Sequence, residues 1–214
     1  MHHAREHALS RTRERRHRLA REAARLMAEG GIRDFHHAKL KAASRLGIHD
    51  DASLPRNREI EDALREYQRL FAGPDHAQAL RERREAALHA LEFFARFEPR
   101  LIGAVLDGTA DARSAVALHL HSDDPDAVAR FLDEHGIPHQ PRMRRLRLDR
   151  ERSLDAPAWL FGAGELPFDV AVLPLDALRQ APLSTVDEKP MRRASAAQLR
   201  QLLAEEETDD REAV

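Results

Sequence analysis

The chain contains no cysteine among its 214 residues. Disulfides, cysteine-ligated zinc and thiol nucleophiles are therefore excluded. No apolar run approaches the roughly 18 residues that a membrane-spanning helix needs, so no membrane partner is expected. The chain opens on Arg and His rather than on an apolar segment, unlike a secretory signal, and a cytoplasmic address is the expectation. Aromatic residues make up only 5%, and lysine is scarce beside arginine. Three signatures of known chemistry are also missing. There is no G-x-x-x-x-G-K-[ST], so a P-loop phosphate cradle is absent. "FGAGELP" holds G-x-G without the rest of a dinucleotide fingerprint and reads as a turn between strands. No G-x-S-x-G nucleophile elbow occurs.

What is present is unevenly charged. The formal net charge is −2, but residues 1–98 carry 20 Lys+Arg against 16 Asp+Glu, while residues 99–214 carry 15 against 21. Eight arginines fall within the first 25 residues, and "EEETDD" (Glu205 to Asp210) makes an acidic tail over 205–214. A basic arm suits an anionic partner such as nucleic acid; a solvated helix face explains it equally.

The first half repeats at the helical period. Leu19, Ala20, Ala23, Leu26 and Met27 define one face, closed by Gly30 and Gly31, while residues 1–18 have almost no apolar side. Asp34 is placed to cap a second helix with Phe35, Ala38, Ala42 and Leu46 inward. Ile60, Ala63, Leu64, Tyr67, Leu70 and Phe71 mark a third, ending at Gly73-Pro74. A fourth, over about 76–97, is apolar on a wide arc and is read as the joint between the halves.

The second half alternates. Val116, Leu118 and Leu120 point one way, and Ala115, Ala117, His119 and His121 the other. "MRRLRLD", "AWLF" and "PFDVAVLP" give further strands, with Arg145, Arg147 and Asp169 outward. Short helices are expected over "DPDAVARFLDEHG", at 175–180 and near 194–204, where Ser195 suits an N-cap. The expected fold is α+β: an N-terminal helical bundle (1–98) packed on a small mixed sheet (99–204) with helices on one face. The other face is then wet, or covered by something bound.

"LIGAVLDGTADARSAVALHLHSDD" (Leu101 to Asp124) gives strand, glycine turn, strand and the start of a helix. That order, followed by a later strand with an outward acid, resembles the nucleotidyltransferase domain of the polymerase β superfamily. The superfamily pattern is a hydrophobic residue, Gly, then Gly or Ser, and after nine to thirteen residues an acid–hydrophobic–acid–hydrophobic run. Here Ile102-Gly103-Ala104 fits the opening, and after ten residues comes Ala115-Val116-Ala117-Leu118, with both acids missing. Asp169 fits the third acid. "AARLMAEGGIRDFHHAKLKAASRLGI", "VLDGTA" and "PLSTVDEKPMRRAS" are similar to a bacterial family of small nucleotidyltransferase-like proteins over about residues 20–204. The resemblance implies a palm-like sheet, Mg or Mn, ATP or another nucleoside triphosphate, and Asp169 as a catalytic metal ligand. Alanine cannot ligate a metal, so the same resemblance implies a pseudoenzyme unless the site is rebuilt.

Two rebuilt sites are expected on the open face. His119 and His121 with Asp169 form a candidate zinc or manganese set, against the plainer reading of polar residues on a solvated strand. His119, His121, Arg145 and Arg147 form a candidate nucleotide-binding surface, with Gly103, Gly108, Thr109 and Ser114 facing phosphate. That groove requires Arg145, Arg147, His119, His121 and Asp169 to converge, and Arg192 and Arg193 to reach it at most as extras. Asp107 and Asp111 are read as turn residues around Gly108. His36 and His37 are about 100° apart on a helix and do not chelate one ion; His3 and His7, at i and i+4, can hold one weakly. The reading from a different class is a non-enzymatic protein-interaction or RNA-binding module that uses residues 19–97 and the basic arm.

Overall fold

The computed structural model describes residues 2–71, 73–149 and 151–212, so the side chains of His3 and His7 and the last residues of the acidic tail lie outside the described part. The fold is α+β, with seven α-helices among the described residues and one five-stranded mixed sheet. Two compact units divide it, Met1–Asp75 and His76–Val214. The sequence reading placed the change at 98/99. The difference is the helix before it, whose Ala87 and Leu91 are buried in the same core as the sheet.

The first unit is helical: α1 (His2–Gly30), α2 (Phe35–Leu46) and α3 (Asn57–Phe71). The Asp34 carboxylate accepts from the His37 backbone N–H at 2.6 Å and caps α2. The core is built from Leu19, Leu26 and Ile60 with Ala20, Ala23, Ala38, Ala42 and Ala43. Alanine lets helix backbones approach closely, so this core is narrow. α1 runs outward through the basic arm, from Ser10 to Arg18 almost wholly exposed. His36 and His37 are exposed.

The second unit begins within α4 (Gly73–Phe93). Then come β1 (Arg100–Ile102), α5 (Gly103–Asp107), β2 (Val116–His121), α6 (Asp126–Glu134), β3 (His139–Arg147), β4 (Ser153–Ala163), β5 (Leu166–Leu173) and α7 (Ala196–Glu212). The strand order is β1-β2-β5-β4-β3, with β2 and β5 parallel and the other neighbours antiparallel. Val116, Leu118 and Leu120 of β2 and Phe168, Val170 and Val172 of β5 face one side. There they meet Leu91 of α4, Val105 of α5, Phe131 of α6 and Leu199 of α7. The period-two pattern reads this face correctly because every one of these strand residues is buried.

The opposite face is covered at one end by the chain itself. A 3-10 turn at Leu175–Leu178 leaves β5 and lays Ala177 on Ala158, Ala171 and Leu173. The segment reaches β3, where the Leu183 N–H donates to the Arg147 carbonyl at 2.6 Å. It turns and returns to pair Ala194 with Leu101 of β1. α7 follows with a reciprocal cap: the Ser195 N–H donates to Gln198 Oε1, and Ser195 Oγ accepts from the Gln198 N–H. α7 continues to Glu212, so the acidic stretch is helical rather than a separate tail; Glu206 pairs with Arg84 and Glu207 with Arg81.

Candidate functional site

The turn that opens the second unit is held from beneath. Gly103 leaves β1 with φ +69°, where a side chain is strained, and a Cβ there would stand 4.0 Å from that of Ala117. Gly108 ends α5 with φ +77°, and a Cβ there would meet the Arg84 guanidinium at 3.5 Å. Arg84 is buried and donates from Nε to the Val105 carbonyl at 3.0 Å. Its neighbour Arg83 donates to the carbonyls of Ala112 (2.7 Å) and Ser114 (3.2 Å). Carbonyls at a short helix end and in a turn lie outside a regular ladder, and the two arginines donate to them.

Asp111 serves this turn, as its neighbourhood suggested, while Asp107 reaches a distant arginine. Asp107 pairs with Arg192 at 3.2 Å. Asp111 Oδ1 accepts from the Arg113 N–H and from Ser114 Oγ. The Ser114 hydroxyl also accepts from the Asp111 N–H, so it is spent within the turn. The Thr109 N–H donates to the Ala104 carbonyl.

The register of β2 on β5 places Ala117 directly beside Asp169. Successive residues alternate, so Ala117, His119 and His121 share a face with Asp169, Ala171 and Leu173. The same face of β3 carries Arg142 and Arg144, because Arg142 lies opposite Ala158 and Arg144 opposite Ala156. Arg144 forms an ion pair with the Asp169 carboxylate, whose side chain is only 13% exposed. A guanidinium of the chain itself thus holds the carboxylate that a metal would need. With alanine at 115 and 117, the residues present do not fit a two-metal centre.

His119 and His121 do not lie open. Each is 1% exposed. His121 Nδ1 faces the Glu98 carbonyl at 2.8 Å, while His121 Nε2 and His119 Nδ1 have no hydrogen-bond partner among the described residues. Burial, then the charges of His121 and Arg193, push the His119 imidazole down to about 3; burial also lowers His121. Both rings are neutral at pH 7 and offer no charge to a phosphate. Arg193 donates to the carbonyls of Ala177 and Leu178 at 2.8 and 3.0 Å.

Arg145 and Arg147 lie elsewhere. Arg145 is opposite Asp155, so alternation turns both arginines to the side away from Ala117 and Asp169. β3 is also the sheet edge, separated from β2 by β5 and β4. Arg147 pairs with Glu188 at 2.9 Å. The five residues expected to converge therefore divide three ways: Asp169 on the open part of one face, the two histidines beneath the 175–194 segment, and the two arginines on the other side of β3. The chain's covering of its own sheet had no periodic signature, and sequence reasoning missed it. It also missed Arg83, Arg84 and Arg144, and took Arg193 only as an extra at the groove. Arg144 alone was within reach, since alternation puts it opposite to Arg145.

Comparison of the chain with family models, with curated proteins and with solved structures gave no match.

Proposed function

We propose that the second unit is a nucleotidyltransferase-like domain of the polymerase β type that no longer transfers, and that the protein works by binding. The observation that carries this reading is the juxtaposition of Ala117, Asp169 and Arg144. Acid-x-acid on one strand and a third acid on its neighbour bring three carboxylates to one face; Ala117 and Asp169 are register partners, and Ala115 immediately precedes β2. Two of the three are alanine, and the third is neutralised by Arg144. The strand order fits the same reading, because it sets the strand of Asp169 next to that of Ala117. A nucleotide groove made of His119, His121, Arg145 and Arg147 has no support in this arrangement. The non-enzymatic reading, a nucleic-acid-binding module using the helical unit and its basic arm, is favoured by the exposed arginines of α1.

The test is nucleotidyl transfer. The full chain would be incubated with α-labelled nucleoside triphosphates, Mg or Mn, and total cellular RNA and protein as acceptors, beside Asp169→Ala. The expected result is no label on any acceptor from either protein. Label transferred by the wild type and lost in Asp169→Ala overturns the reading.

A further inference from the structure

We infer that the helical unit binds single-stranded nucleic acid, with the phosphates along α1 and a base in a groove between α1 and α3. This deepens the binding reading by naming the ligand and its site. Two separate features point to it.

The first is a track of charge. Arg11, Arg15 and Arg18 recur at four and three residues, and so lie on one face of α1; Arg21 and Arg25 continue it. The run from Arg11 to Arg25 covers roughly 21 Å of helix at 1.5 Å per residue. The packed side of α1 is Leu19, Ala20, Ala23 and Leu26, so the arginines are not needed for the core. Neither hydrogen bond nor ion pair holds the guanidinium groups of Arg13, Arg15 and Arg18 among the described residues. Arg21 has only a 3.6 Å contact to Glu66. One acid, Glu14, interrupts the stretch from Arg11 to Arg21. Such a surface attracts a polyanion by releasing its counterions.

The second is an aromatic groove at the end of the track. Arg21, Glu22 and Arg25 of α1 with Ala63, Glu66, Tyr67, Leu70 and Phe71 of α3 line a space of about 290 Å³, and Arg25 is paired there with Glu22 at 2.8 Å. Phe71 is 68% exposed in a chain with few aromatic residues, and Leu70 beside it is 56% exposed. The Tyr67 and Phe71 rings lie 4.9 Å apart at 40°, and the Tyr67 hydroxyl donates to Glu29 at 2.6 Å, which fixes that ring. An open aromatic ring next to arginines is what a nucleobase stacks on, and base stacking tolerates any sequence. A duplex keeps its bases stacked inside and would use only the arginines. A lipid surface is disfavoured because the exposed face of α1 from Ser10 to Arg21 has no large apolar residue to insert.

The test uses the full chain and a fluorescein-labelled 12-nucleotide oligouridylate, followed by anisotropy at 50 and 200 mM salt. The wild type is expected to bind at low salt and to weaken steeply as salt rises. Arg15→Ala/Arg18→Ala/Arg21→Ala should weaken binding at least ~10-fold and lower the salt slope by about 2, the share of three phosphate contacts on a single strand. Phe71→Ala, a change at an exposed site that leaves the core intact, should weaken binding about 5-fold or more with the slope unchanged. The inference is overturned by no binding at 50 mM salt, by unchanged affinity in the triple variant, or by equal affinity for a 12-base-pair duplex with Phe71→Ala silent. Tighter binding to phosphatidylserine vesicles than to the oligonucleotide also overturns it. The transfer assay above is read separately: label transfer without oligonucleotide binding defeats both readings, while neither transfer nor binding defeats this one alone.

Discussion

The two units treat arginine in opposite ways. In the sheet unit several arginines are tied into the fold, two of them buried. Arg83 and Arg84 satisfy carbonyls of the turn after β1, Arg193 satisfies carbonyls of the segment that crosses the sheet, and Arg144, Arg192 and Arg200 each close on a carboxylate. In the helical unit the core is mainly alanine and leucine, and Arg13, Arg15 and Arg18 of α1 are exposed with no ion pair among the described residues, while Arg21 and Arg25 meet Glu66, Glu22 and Glu29. The same residue therefore reports structure in one unit and an external ligand in the other. What separates them is the local supply of acceptors. A sheet with turns and a covering segment leaves many carbonyls to satisfy, whereas a helix satisfies its own.

That contrast can be broken most sharply at Arg84. Arg84→Ala strands Glu206 and the buried Val105 carbonyl, and the expected cost is about 3 kcal/mol, read as a lower midpoint in urea denaturation. A loss under about 1 kcal/mol would mean that the turn does not depend on it.

Acid should act on the same unit. His119 titrates at about 3 in the folded protein against an ordinary value near 6.5. Below pH 6.5 the unfolded chain takes up a proton that the folded chain refuses, so stability is complete above about 6.5 and falls as the pH drops toward 3. At pH 4.5 the loss from this group is about 2–3 kcal/mol. His119→Leu should flatten the fall; an unchanged slope would place the acid sensitivity elsewhere.

The helical unit should be sensitive to size rather than charge. Ala42 is fully buried among other alanines, and Ala42→Leu is expected to cost about 1–3 kcal/mol by forcing α1 and α2 apart. Thermal denaturation would show this as a lower midpoint.

A smaller effect tests the proposed alignment of positions 115, 117 and 169 with a metal site. Ala115→Asp/Ala117→Asp/Arg144→Ala would place three free carboxylates on one face. It should bind Mn at about millimolar concentration where the wild type binds none, as read by paramagnetic broadening. Absence of broadening in that variant would count against the alignment of positions 115, 117 and 169.

Much of the fold was legible in the sequence. The Asp34 cap and the Val116–Leu118–Leu120 face are carried by the structure, and of the α3 stripe Ile60 and Leu64 are buried while Leu70 and Phe71, expected inward, are exposed. The candidate site was legible only in part. Alternation put Asp169 on the face of Ala117, but it could not say that His119 and His121 lie beneath residues 175–194. Nothing local marks a segment that returns over its own sheet. Arg145 and Arg147 were placed on the wrong side because alternation within one strand fixes relative, not absolute, direction. The pairing of β3 with β4, a contact distant in the chain, sets which side is which. The wide apolar arc of α4 was read as a joint between halves; its Ala87 and Leu91 are buried in the core of the sheet unit.

The most direct measurement is oligonucleotide affinity on two variants whose folding stability is recorded in parallel, Arg15→Ala/Arg18→Ala/Arg21→Ala and Arg84→Ala. The account predicts that the α1 triple loses at least ~10-fold in affinity with stability within about 0.5 kcal/mol of wild type. It predicts that Arg84→Ala, under conditions where it remains folded, loses stability and keeps its affinity. Equal loss of affinity in both, or none in either, would contradict the division of labour between the outward and the inward arginines.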